Sequence, residues 1–142
     1  MRIRRFELED HPAAAALWEA AEGMSAPSRG EVERKLERDP ELFLVAEDGA
    51  SLVGAVMGSY DGRRGWIFRL AVHPARRREG IGRALVEELE RRYVAMGVRR
   101  LRLLTLSDNH GARAFWEHLG YGGFEDVVLF AKDLGAGGAE RC

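Results

Sequence analysis

The stretch "LAVHPARRREGIGRAL", residues 70–85, joins an apolar segment to an amphipathic one through three consecutive arginines and two glycines. The first turn of a helix leaves N–H groups without intrahelical partners, and together with the helix dipole these groups bind anions. Glycine at positions 80 and 82 would let a phosphate approach the backbone closely, and the arginines would add charge-assisted hydrogen bonds. The stretch therefore predicts a strand, a phosphate-binding loop and a helix start, in that order.

Two familiar phosphate loops do not fit these residues. A dinucleotide-binding fingerprint needs a third glycine where Leu85 stands, and a P-loop needs Gly-Lys followed by Ser or Thr. Taken alone, the stretch also allows another interpretation, in which the arginines are a solvated charge run and a glycine only packs the helix against a strand. Residues elsewhere in the chain have to decide between the two interpretations.

The segment after Gly80 has the strongest helical periodicity in the chain. Apolar residues recur every three or four positions over 81–96, while Glu87 and Arg91 stand four residues apart on the other face. Gly97 marks the end of this predicted helix. The strand within 99–107 should then run parallel to the strand before the loop, because a helix separates the two and such crossovers are right-handed.

The N-terminal half shows strand, helix and hairpin signals. Apolar residues alternate with charged ones over 1–8, which predicts a strand, and Asp10 is placed to cap a first helix. Ser28 and Glu31 have the spacing of a capping box before a second helix, which should end near Pro40. The Asp-Gly pairs at 48–49 and 61–62 stand between short apolar runs and predict two tight turns joining three antiparallel strands.

Bulk composition excludes several classes of protein. The 142 residues fit one domain. The 22 basic and 23 acidic residues give a formal charge of −1, whereas a nucleic-acid-binding protein usually has an excess of basic residues, so we expect no nucleic-acid partner. No apolar run reaches membrane-spanning length and no signal peptide is evident, so we expect no membrane association and a cytoplasmic protein. One cysteine, Cys142, and histidines without metal-like spacing predict neither disulfides nor a metal site.

Two motifs together resemble those of the GCN5-related N-acetyltransferase (GNAT) superfamily. Its acetyl-CoA signature, Arg/Gln-x-x-Gly-x-Gly/Ala, is matched by Arg77, Gly80 and Gly82. A second element, Asn-x-x-Ala followed by an aromatic pair and Leu-Gly-Phe/Tyr, is matched within 109–121. The resemblance covers residues 1–134, and the chain is similar in particular to the small stand-alone bacterial YpeA-like members. It favours the phosphate site over the solvated charge run.

The resemblance implies an α/β fold of the α+β kind. We expect an open mixed sheet of about six or seven strands with about four helices, in which the parallel strands "FRLAV" and "RLRLLTLS" splay apart. A short helix over 109–119 and a last strand within Phe124–Ala131 would complete one domain over 1–134. Residues 135–142 would form a flexible tail.

The resemblance also implies acetyl-CoA as co-substrate, with no metal. The pantetheine arm would bond the backbone of the strand before the loop, the pyrophosphate would sit on amides at the helix start, Arg76 or Arg77 could reach the 3′-phosphate, and Asn109 would bond the pantetheine chain. The residues assigned to the cofactor are Leu70, Ala71, Val72, Arg77, Arg78, Gly80, Ile81, Gly82, Arg83 and Asn109.

The sequence departs from the family at two catalytic positions. Many members carry a glutamate as base where this chain has Phe68, and a tyrosine as acid where it has Trp116. The oxyanion could still take a backbone amide near Val72, because that donor needs no particular side chain. A non-catalytic acyl-CoA-binding or interaction module is therefore the alternative to an N-acetyltransferase.

No side chain stands out as the replacement base or acid. Ser107, Glu47 and Tyr121 are weak candidates: Ser107 could equally cap the next helix, Glu47 could be a solvated strand end, and Tyr121 occupies a usual core position. Asp61 fits a turn former better than a relay group.

The acceptor is expected to be a primary amine, either a peptide N-terminus or an amino-acid-like metabolite. Few residues follow the last predicted helix, so we expect a shallow acceptor site formed in part by the loop over 22–30 with Met24. Relatives often pair as dimers, and the resemblance allows a homodimer.

Overall fold

The computed structural model describes residues 1–22 and 25–135. Compact packing divides the chain into two units, residues 1–103 and the part from Leu104 onward. The first unit contains every strand and three of the four α-helices of the described chain. Its strands are β1 (Arg2–Arg5), β2 (Phe43–Asp48), β3 (Ser51–Tyr60), β4 (Gly65–Val72) and β5 (Leu101–Leu103), and its helices are α1 (His11–Glu22), α2 (Arg29–Arg38) and α3 (Ile81–Ala95).

The five strands form one mixed sheet in sequence order. The first four pair antiparallel, and β5 pairs with β4 in parallel, as the intervening α3 predicted. Both hairpin predictions are confirmed. In the β3–β4 turn the Asp61 carboxylate accepts the N–H groups of Arg63 and Arg64 at 2.8 and 2.6 Å, so Asp61 has the turn-forming role.

Helix boundaries agree with the capping signals in one place and differ in another. The Ser28–Glu31 capping box is confirmed, with reciprocal hydrogen bonds of 3.0 and 3.1 Å at the start of α2. Asp10 has contacts other than the predicted helix cap: its carboxylate accepts two hydrogen bonds from the Arg4 guanidinium and one from the Glu7 N–H, all of 2.8 or 2.9 Å. These bonds join the end of β1 to the turn before α1.

The sheet of the first unit carries a core on each face. On one face α1 and α2 cover a cluster in which Phe6 stacks on Phe43 at 4.1 Å between ring centroids, beside the fully buried Trp18. On the other face, α3 packs so closely that a Cβ added at Gly58 would lie 2.8 Å from the Tyr93 hydroxyl. Glycine is therefore required there for close approach of helix and sheet.

The predicted strand count is wrong, because the described chain has five strands and not six or seven. The strand expected within Phe124–Ala131 does not form: these residues pair with no strand among the described residues, and Phe130 is 90% exposed. β5 is also shorter than the predicted segment 99–107. A period of apolar residues shows that a segment could pair, but pairing itself needs a partner strand that sequence periodicity does not supply.

The second unit is organised around α4 (His110–His118). Its N-cap is Asn109, whose side-chain oxygen accepts the Ala112 N–H at 3.0 Å. Trp116 packs edge-on against Tyr121 at 5.2 Å between ring centroids. Within the described ranges, no helix has both the length and the apolar character that crossing a membrane requires.

Candidate active site

Strand β4 changes its pairing at a bulge. Ala55 of β3 lies opposite Ala71, but Met57 lies opposite Phe68, so two residues of β4 stand opposite the single Val56. Arg69, one of these two, has φ +50°. A bulge of this kind bends its strand and re-aims a side chain.

The same strand loses its parallel neighbour at that point. The β4–β5 ladder pairs Gly65–Ile67 with Leu101–Leu103, and β4 continues to Val72 without a ladder partner on that side among the described residues. Unpaired N–H and C=O groups at a strand edge are a template for an added extended chain. The predicted splay of the parallel pair thus corresponds to an open β4 edge over Phe68–Val72, which includes Leu70, Ala71 and Val72.

The loop after β4 leads into α3 and contains two residues with left-handed backbone conformation. Arg78 has φ +65° and Gly80 has φ +83°, and α3 begins at Ile81. The first intrahelical bond in this turn runs from the Ala84 N–H to the Gly80 carbonyl at 3.0 Å. The backbone N–H groups of Ile81, Gly82 and Arg83 precede that bond and therefore belong to the helix end that binds anions.

Space beside Gly80, directly before α3, is open, because a Cβ built on this residue would meet no heavy atom within 4 Å. Ile81 and Gly82, the first two residues of α3, are buried. The residues present fit the diphosphate of acetyl-CoA: the anion would accept from the first α3 amides, while the exposed side chains of Arg77 and Arg78 add positive charge nearby.

The three loop arginines have different contacts. Arg76 binds Glu79 through Nε at 2.9 Å and Asp48 through Nη2 at 2.9 Å, and these carboxylates, Glu79 first, raise its pKa. Arg77 donates from Nη2 to the Ala21 carbonyl of α1 at 2.9 Å. Arg76 is thus held by the protein's own carboxylates, which leaves Arg77 and Arg78 as the better partners for a phosphate.

Each of the candidate base and acid residues has contacts of its own within its unit. Both carboxylate oxygens of Glu47 pair across the sheet, with Arg4 Nε at 3.1 Å and Arg2 Nη1 at 3.5 Å. Ser107 does not cap α4, since Asn109 does, and its carbonyl accepts from Arg113 Nη1 at 2.9 Å. Tyr121 packs on Trp116. None of these contacts identifies a base, and the catalytic assignment stays a prediction.

Two side-chain arrangements were not predicted from the sequence. Lys35 is held by Asp39 and Ser59 at 2.7 and 2.6 Å in a half-buried cluster beneath α2, and burial lowers its pKa. Arg69 is turned onto Trp18, with its guanidinium carbon 5.9 Å from the ring centroid. The signal for the second was a lone arginine inside the apolar strand "WIFRLAV".

Among the residues that the structure describes, no group of three His, Cys, Asp or Glu side chains is arranged to hold a metal ion. The candidate site consists of a strand edge, a basic loop and a helix start. Residues 3–121 match the acetyltransferase (GNAT) family, and the chain belongs to that family. It is an acetyltransferase enzyme of a family that uses acetyl-CoA.

Known relatives agree with this assignment. An acetyltransferase of Sodalis glossinidius is 39% identical over 136 residues, which cover 94% of this chain and 96% of the relative. Among solved structures, Naa20 of Chaetomium thermophilum with a bisubstrate analogue superposes with a TM-score of 0.75 at 28% identity, covering 84% of this chain and 70% of that one. The Escherichia coli ribosomal-protein-S18-alanine N-acetyltransferase gives 0.72 at 26% identity, with 84% and 76% covered.

Proposed function

We propose that the enzyme transfers an acetyl group from acetyl-CoA directly to a primary amine, either a peptide N-terminus or a small amino-acid-like metabolite. The observation that carries this proposal is the open β4 edge over Phe68–Val72 that leads, through two left-handed residues, into the start of α3. The likeness to an alanine N-acetyltransferase of a ribosomal protein supports the amine as acceptor.

The cofactor assignment follows from backbone groups. The amides of Ile81, Gly82 and Arg83 would hold the diphosphate, and the edge of β4 from Leu70 to Val72 would bond the pantetheine arm as an added strand does. When bound, acetyl-CoA supplies the activated thioester. The Val72 region would then stabilise the oxygen on which negative charge develops, a contribution of about 3 kcal/mol for one well-placed donor.

Asn109 and the domain boundary complete the proposal. The Asn109 side chain caps α4 through its oxygen, so its amide nitrogen is the group that would bond the pantetheine chain. Residues 1–134 would act as one acetyltransferase domain, and a homodimer is compatible with it.

Loss of the customary base sets a preference among amines. With Phe68 in its place, the free energy of deprotonating the acceptor falls on the acceptor itself: about 4.6 kcal/mol for a lysine side chain at pH 7, against about 1 kcal/mol for an α-amine. The missing acid at Trp116 matters less, because a thiolate of pKa about 8.5 leaves at pH 7 for about 2 kcal/mol. We therefore expect a preference for α-amines.

An acceptor screen tests both parts of the proposal. Thiol release from acetyl-CoA should be measured with matched peptides that offer only an α-amine or only a lysine side chain, at several pH values. We expect faster turnover on the α-amine at pH 7, with a ratio that shrinks as pH rises toward the lysine pKa. Binding of acetyl-CoA without turnover on any amine would favour the non-catalytic module instead, and faster turnover on lysine would contradict the preference.

A further inference from the structure

The bulge in β4 reverses the side of the sheet that Arg69 faces. Phe68 and Ala71 pack in the core under α1 and α2, together with their cross-strand partners Met57 and Ala55. Regular alternation from Phe68 would direct the next side chain to the opposite face, which α3 covers. Instead, the Arg69 guanidinium lies over Trp18 of α1. The extra residue of the bulge therefore brings a cation to the α1 and α2 side of the open strand.

The backbone at Arg69 is strained. A φ of +50° is the left-handed region, where an L-residue with a side chain costs about 1–2 kcal/mol relative to the right-handed one. Such outliers persist where the surrounding structure holds them, and they cluster at ligand-binding and active sites. A glycine would adopt this conformation without the cost, but it would not place a guanidinium over Trp18.

The guanidinium stands in a sheltered environment. Arg69 is half-buried, and its Nη1 atom is shielded from solvent. Its charge also acts on Glu31 of α2, whose pKa is lowered first by hydrogen bonds from Ser28 and further by the nearby arginines. A guanidinium stays protonated at any physiological pH and presents a planar fork that matches a carboxylate. Partial exclusion of water strengthens its attraction for an anion.

An aromatic shelf adjoins the cation. Trp66 and Phe68 stack with their ring planes at 12° and their centroids 6.1 Å apart, and both are half-buried. Residues two apart share a face of a strand, so the shelf lies on the same side as the cluster under α1 and α2. The ladder to β5 ends at Ile67, between the two rings. Phe68, the second ring of the shelf, directly precedes Arg69 in the sequence, at the point where the β4 edge opens.

We propose that Arg69 determines acceptor specificity by binding a carboxylate of the acceptor, so that the preferred substrates are amines that carry an acidic group. This inference rests on the proposed acetyl transfer. Arg69 and the oxyanion position at Val72 are three residues apart, at most about 10 Å along a strand. A dipeptide unit spans such a distance, so a peptide N-terminus with an acidic second residue fits between Val72 and Arg69.

Matched peptides that differ only by Asp or Asn at the second position provide the test, because they carry an α-amine of similar pKa. The wild-type enzyme should show about tenfold higher kcat/KM for the Asp peptide, since a hydrogen bond to a charged group is worth about 1.5 kcal/mol and this equals one decade. The gain should appear mainly in KM. Free amino acids and their uncharged analogues form a second arm, which distinguishes a small-molecule carboxylate from a peptide one.

Three variants separate recognition from folding. Arg69→Gln should bring the Asp-to-Asn ratio near one, and Arg69→Lys should keep part of it. Arg63→Gln, at an exposed arginine in the β3–β4 turn, should leave the ratio unchanged. The ratio is taken within each variant, so a smaller folded fraction cancels. If Arg69→Gln does not fold, Arg69→Asn replaces it, because asparagine tolerates the left-handed region.

The outcomes distinguish the inference from the function beneath it. Turnover without a preference for the acidic acceptor in either arm, or a preference that survives in Arg69→Gln, overturns the role of Arg69 and leaves acetyl transfer standing. Absence of turnover with every amine overturns the proposed function itself. Acetyl-CoA affinity should be equal in wild type and Arg69→Gln, since the variant changes the acceptor side alone.

Discussion

Replacing Gly80 by alanine tests the phosphate site, and the chain offers a matched control at the other end of the same helix. Gly80 precedes α3 with φ +83°, and Gly97 follows it with φ +87°. A Cβ built at either position would meet no heavy atom within 4 Å. The two substitutions therefore impose the same conformational constraint on the chain, at positions 17 residues or about 25 Å apart along the helix axis.

The two expected effects differ in size and in kind. Placing alanine in the left-handed region costs about 1 kcal/mol, after allowance for the lower entropy of the unfolded chain, and this cost falls on both variants. At Gly80 the methyl group would also hold a phosphate away from the first α3 amides. Losing one charge-assisted hydrogen bond costs about 1.5–3 kcal/mol, so the dissociation constant for acetyl-CoA should rise by about ten- to a hundredfold.

Calorimetric titration with acetyl-CoA and thermal unfolding without ligand measure the two quantities separately. Gly80→Ala and Gly97→Ala should lower Tm to a similar extent, by a few degrees at about 1 kcal/mol. Wild type and Gly97→Ala should bind acetyl-CoA alike, and Gly80→Ala should bind it weakly. Equal affinity in all three proteins would place the diphosphate elsewhere, and equal loss in both variants would indicate a general effect on α3.

Two partly buried ion pairs, Lys35–Asp39 and Arg4–Asp10, give further predictions. Lys35→Met should cost about 3 kcal/mol of unfolding free energy in denaturant titration, because the buried Asp39 carboxylate loses its partner at 2.7 Å and keeps only Arg38 Nε at 3.7 Å. The double variant with Asp39→Leu should recover most of this loss, and a double variant as unstable as the single one would refute this reasoning. Asp10→Asn should cost about 2 kcal/mol at pH 7, since Arg4 holds the pKa of Asp10 below its ordinary value. That stabilisation is fully present above pH 3.8, the ordinary pKa of an aspartate, and it is lost as pH falls through the lower pKa of folded Asp10. The stability curves of wild type and Asp10→Asn should therefore converge in acid. A constant difference in unfolding free energy down to pH 2 would contradict the assignment.

Local signals in the sequence were sufficient for most elements of the first unit. The Ser28–Glu31 box, the Asp-Gly turns and the period of α3 each act over a few residues, and each is found where it was predicted. The glycine pair at 80 and 82 likewise indicated the helix start. Such features are encoded by neighbouring residues, so a single sequence reveals them.

Contacts across the sheet were harder to predict from the sequence. The apolar residues of 124–131 suggested a strand, yet these residues have no ladder partner in the described chain. The same limit affected Glu47, whose sequence position near a strand end gave no sign of its two arginine partners on β1. Contacts between residues distant along the chain depend on how elements pack, and one sequence carries no direct record of that.

The sequence by itself determined the order of the elements over residues 1–103, the family resemblance and the position of the basic loop before α3, because each depends on short-range spacing and residue type. Tertiary structure alone decided that β4 bulges opposite Val56, that Arg69 turns toward Trp18 and that the β4 edge opens after Ile67. These features arise from register between strands, and a shift of one residue exchanges the two faces of a sheet. The side of the sheet toward which the Arg69 side chain is directed is therefore set by pairing between distant residues.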